Sequence, residues 1–65
     1  MFTKISFIIF FNGMYTLYPM SIPSMNHIQC SQYADQFREK YTVYDEEKNR
    51  HLFENGAEWF GHICE

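Results

Sequence analysis

Apolar residues are distributed along the chain in three distinct ways, and each predicts a different element. The first stretch, Met1 to Phe11, reads M-F-T-K-I-S-F-I-I-F-F, with Lys4 as the one charge ahead of a compact apolar run. That is the order of the n-region and h-region of a signal peptide. The run continues through Asn12-Gly13 into Met14, Tyr15, Leu17, Tyr18 and Met20. Read as a unit from Phe2 to Ile22 it approaches the length of a membrane span, interrupted by Asn12, Thr16, Pro19 and Pro23. Tyr15 and Tyr18 beside Pro19 would suit the aromatic belt at a membrane interface. A signal peptide, a single-pass anchor and a soluble core segment are therefore all open for residues 1–20.

Residues 21–29 hold two serines, a proline and an asparagine and read as a linker. Beyond it the period becomes helical. Cys30, Ala34, Phe37, Tyr41 and Tyr44 recur at spacings of three and four, opposite Gln32, Asp35, Arg38, Glu39 and Lys40, which predicts an amphipathic helix. A second such pattern runs through Leu52, Phe53, Ala57, Trp59, Phe60, Ile63 and Cys64, with Asp45, Glu46 and Glu47 at its start, where the helix dipole favours acids. Glu46 to Arg50 and Glu47 to His51 are acid-first pairs at helical spacing. Asn55-Gly56 could form a turn that splits this segment; one helix is the preferred reading. The expected fold is all-α, with the hydrophobic N-terminal segment followed by a two-helix hairpin over residues 30–65 that buries Phe37, Tyr41, Phe53, Trp59 and Phe60.

Charge sharpens the division. No Asp, Glu, Lys or Arg lies between Ile5 and Ala34, while all eight acids and four of the five bases lie from Asp35 onward, a net charge of −4 there. An acidic half without a basic stripe excludes a nucleic-acid backbone as partner. At 65 residues, 46% of them hydrophobic and 20% aromatic, the chain is too rich in core formers for simple disorder and too short to bury much surface unaided. A disulfide, a membrane or a partner has to contribute.

The two cysteines, Cys30 and Cys64, fall at the two ends of the helical module, which a hairpin would bring together, and in a secreted chain they could pair. Unequal helix lengths oppose that pairing unless Cys30 lies in extended chain. His27 with Cys30 and His62 with Cys64 give four possible zinc ligands, but H-x-x-C and H-x-C do not match a known ligand pattern, so no metal or other cofactor is expected. The chain has no P-loop, no dinucleotide-binding glycine pattern and no H-E-x-x-H, and forty residues offer little scaffold for a cleft. An enzyme is not expected.

The stretch Gln36 to Ile63, Q-F-R-E-K-Y-T-V-Y-D-E-E-K-N-R-H-L-F-E-N-G-A-E-W-F-G-H-I, resembles the inhibitory prodomain of papain-like, cathepsin L-type cysteine proteases. Phe37-Arg38, Tyr41, Tyr44 and the acidic Asp45-Glu46-Glu47 follow that family's order, and Glu46, Arg50, Phe53 and Asn55 follow the signature of its long helix, with Trp59 in the place of an isoleucine. The resemblance implies a secreted or lysosomal binding module for a papain-like cysteine protease. It further implies that Glu46 and Arg50 act as an ion pair holding the helices together and that the aromatic residues serve as core or contact. The extended segment that occupies the protease cleft in the family is not found before Glu65, so the resemblance implies a partial prodomain. The alternatives are a small single-pass subunit of a membrane complex, or a secreted peptide ligand or toxin with one disulfide.

Overall fold

A computed structural model describes residues 1–65 and shows a mainly β architecture, which overturns the all-α expectation. Strands β1 (Phe2–Phe11) and β2 (Met14–Met25) precede one helix, α1 (His27–Tyr41), and strands β3 (Thr42–Asp45), β4 (Arg50–Phe53) and β5 (Glu58–Cys64) follow it. All pairings are antiparallel, and the five-stranded order is β2-β1-β5-β4-β3. The first strand and the last thus lie side by side in the middle of the sheet.

The N-terminal apolar run is β1, built of the aromatic and β-branched residues that suit a pleated surface. It is apolar without alternation at Phe7 to Phe11 because it is central: one face packs under α1 and the other carries aromatic side chains. Asn12 and Gly13, with φ of 53° and 76°, form the tight turn into β2, in which both residues need the left-handed region. Pro19 lies within β2 and is tolerated because β2 is an edge strand, where a missing N–H need not break a ladder. No helix is long and apolar enough to cross a membrane.

Helix α1 begins three residues before Cys30, where Asn26 caps it: the Asn26 side chain accepts from Gln29 N, and the Gln29 side chain accepts from Asn26 N. It ends at Tyr41, where Thr42 and Val43 are β-branched and the Thr42 hydroxyl donates to the Arg38 carbonyl. Tyr44, expected on the helix face, is in β3.

The second helix of the expected hairpin does not exist. Residues 46–49 are a turn, in which Asp45 Oδ1 accepts from Lys48 N and Asn49 takes a φ of 53°. The helical period from Leu52 to Cys64 is that of two strands with a turn between them. Asn55-Gly56 makes the turn: Gly56 N donates to Phe53 O, Phe53 N to Ala57 O and Ala57 N to Asn55 Oδ1, while Gly56 sits at φ 88°.

The core lies between α1 and one face of the sheet. Ile5, Phe7, Ile22, Cys30, Ala34 and Trp59 are its buried members. Phe7 is fully buried, stacked on Phe37 with ring centroids 4.2 Å apart and 4.9 Å from Trp59. A disulfide joins Cys30, in the first turns of α1, to Cys64, at the end of β5, with Cα atoms 6.5 Å apart. The objection drawn from unequal helical arms lapses, because the second arm is a strand.

Candidate functional site

Beyond the C-terminal half of α1 the helix no longer covers the sheet, and a groove of about 590 Å3 opens there. One wall is Phe37 and Tyr41 of α1, and the other is Phe53 of β4 with the turn residues Glu54 and Asn55. Ile9, Tyr18, Met20 and Ala57 complete the lining from β1, β2 and the residue just before β5. The register explains how distant residues converge. Phe7 pairs with Tyr18 and Ile5 with Met20, and cross-strand partners share a face, so Tyr18 and Met20 stand on the helix side beside the buried core.

The chemistry of the groove is apolar with a polar rim. Seven of its nine lining residues are hydrophobic; the polar atoms available are the Tyr18 and Tyr41 hydroxyls, the Glu54 carboxylate and the Asn55 amide, whose oxygen already accepts from Ala57 N. Glu54, with Asp45 and Glu46 along the neighbouring β3–β4 surface, outweighs the one base there, Lys40, whose ammonium lies over the Tyr41 ring 5.3 Å from its centroid, so the surroundings carry net negative charge. Such a surface can seat an apolar group and favours a cationic neighbour. It holds no free thiol: both cysteines are in the disulfide. No group of three or more His, Cys, Asp or Glu side chains is placed to hold a metal ion. His27 opens α1, His51 meets Tyr44 edge-on at 5.2 Å, and His62 lies opposite Phe7 in β5, so the three histidines are on separate elements.

The five aromatic residues singled out by spacing separate into three groups. Phe37, Tyr41 and Phe53 meet in the groove. Trp59 lies in the core, its ring 6.0 Å from Phe37 and 6.3 Å from Phe53. Phe60 is on the other side of the sheet, clustered with Phe10 and Tyr15. The Glu46–Arg50 ion pair implied by the prodomain resemblance does not form: Glu46 is exposed in the turn, and the Arg50 guanidinium lies over the Phe60 ring, 4.4 Å from its centroid. The ion pairs are Lys4–Glu65, Arg38–Asp35 and Arg38–Glu39, all with at least one well-exposed partner.

Sequence reasoning missed Ile9, Tyr18 and Met20 as site residues. The available signal was the Asn12-Gly13 dipeptide between two apolar stretches, a hairpin pattern that places Tyr18 across from Phe7. Comparison of the chain with protein-family models, with curated proteins and with solved structures yields no match, so the assignment of function rests on this geometry.

Proposed function

We propose that this chain is a non-catalytic binding module of an oxidising, extracytoplasmic compartment, and that its groove receives an apolar side chain flanked by basic residues on a protein partner. The observation that carries this reading is the open groove of about 590 Å3 whose apolar walls adjoin a surface on which Glu54, Asp45 and Glu46 outnumber Lys40. The Cys30–Cys64 disulfide is consistent with an extracellular or secretory location. β1 and β2 belong to the binding-competent form, because Ile9, Tyr18 and Met20 line the groove. An intact mass of secreted, folded protein is therefore expected to retain both strands.

The test is an NMR titration of the oxidised chain with acetyl-Lys-Phe-Lys-amide and, separately, acetyl-Glu-Phe-Glu-amide. The basic peptide is expected to shift the amides of Phe37, Tyr41, Phe53 and Ala57 at lower concentration than the acidic one. Equal responses, or shifts confined to other residues, would sink the reading. A papain-like cysteine protease, the partner implied by the resemblance over Gln36 to Ile63, is the first whole protein to titrate in the same way. Its binding is expected to be lost with Tyr41→Lys.

A further inference from the structure

The sheet has a second face that nothing covers. Register assigns its members: Tyr15 pairs with Phe10, Phe10 with Glu58, Glu58 with Leu52 and Leu52 with Val43, a continuous row across all five strands on the side away from α1. Leu17 and Ile8 form the adjoining row. Phe60 fills the space beside them, its ring 5.9 Å from Phe10 and 5.2 Å from Tyr15. Tyr15, Leu17 and Val43 are 63%, 57% and 77% exposed. Aromatic and aliphatic residues in adjoining rows, interrupted by Glu58, differ from the scattered apolar residues that ordinary surfaces carry.

We propose that this bare face is a homodimer interface, in which two copies pack sheet against sheet across a two-fold axis and leave both grooves facing outward. Three features of the chain favour a second copy as the occupant. The molecule measures 36 × 21 × 15 Å, so the outline of its broad face is at most about 750 Å2, of the same order as the ~800 Å2 that each partner contributes to a standard interface. The charges on the face are mixed, with Asp45 directly opposite Arg50 and Glu58 within the apolar row, so an inverted copy meets both signs rather than one. Edge-to-edge pairing, the other way for sheets to associate, is disfavoured: β2 carries Pro19 and Pro23, and β3 has four residues closed by α1 and a turn. Only nine of the 65 residues are buried in the single chain, and a sheet-on-sheet partner adds the second core that a domain of this size lacks.

Sedimentation equilibrium of the oxidised full-length chain, from low micromolar to millimolar concentration, tests the proposal. The expected result is reversible approach to twice the 7.9 kDa chain mass. Val43→Lys and Leu17→Lys are each expected to weaken association by about tenfold or more. Both positions are exposed, so circular dichroism and the oxidised mass should report an intact fold. Tyr41→Lys, on the groove side, should leave the dimer unchanged while abolishing peptide binding, which separates failure of this proposal from failure of the groove reading. A monomer at millimolar concentration overturns the dimer, as does a dimer indifferent to both lysine variants. Depletion of a monomeric chain by phosphatidylcholine vesicles, blocked by Leu17→Lys, assigns the face to a lipid surface instead and also overturns it.

Discussion

The two faces of the sheet use similar residues to different ends. On the helix side, Phe7 is locked between Phe37 and Trp59 and Cys64 is tied covalently to α1, so the aromatic residues there hold the fold together. On the bare side, Phe10, Tyr15 and Phe60 touch one another and Arg50, and much of Tyr15 remains in water. Phe7 and Phe10, three residues apart in one strand, thus belong to opposite sides. Position relative to the pleat, rather than residue type, decides which aromatic residues stabilise and which are left for association.

Substitutions can be ordered by how strongly they test this contrast. Phe7→Ala is expected to cost toward 5 kcal/mol, the upper part of the range of about 3–5 kcal/mol for such truncations, because the ring contacts two other rings in a fully closed site. Urea unfolding under oxidising conditions measures it. Cys30→Ser paired with Cys64→Ser removes a cross-link spanning a separation of 34 residues, with an expected loss of about 4 kcal/mol by loop-closure entropy. The readout is the shift in denaturation midpoint against the oxidised parent. Asn26→Ala deletes the helix cap on the covered side and should cost about 1 kcal/mol, visible as a small fall in Tm. Leu17→Ala, on the bare face, should change the stability of the dilute chain by no more than about 0.5 kcal/mol. A loss at Leu17 comparable to that at Phe7 would erase the distinction between the faces.

Part of this organisation could be read from residue order, and part was hidden for physical reasons. The period of Cys30, Ala34 and Phe37 predicted a helix, and α1 spans those residues with Cys30 and Ala34 buried. A short, unbroken apolar run has no period, so Phe7 to Phe11 fits a signal h-region, an anchor or a soluble core segment, and nothing in it marks a strand. The false second helix has a specific origin. Phe53 and Ala57 are four apart because the Asn55-Gly56 turn returns the chain to the same face, and Trp59 follows Ala57 at strand spacing. Turn and strand together imitate a helical repeat. Phe60 is the extra residue where the pairing steps from Ile9–Trp59 to Ile8–Gly61, so strict alternation along β5 ends there. The groove was half visible: its helical wall followed from the period, whereas its floor depended on pairings between residues far apart in the chain.

The adjacency of β1 and β5 gives the molecule a kinetic character that its small size would not lead one to expect. Ile5 pairs with Cys64, so the centre of the sheet closes only after the chain has been made through Cys64. The covalent loop from Cys30 to Cys64 encloses most of α1 and all of β3, β4 and β5 but leaves β1 and β2 outside it. In the cross-linked chain the N-terminal hairpin is held against β5 by noncovalent pairing of high sequence separation alone, so its docking is expected to limit the folding rate. While β5 waits, its free edge can accept the same hairpin from a neighbouring molecule. At high concentration, exchange of that hairpin is the misassembly this topology invites.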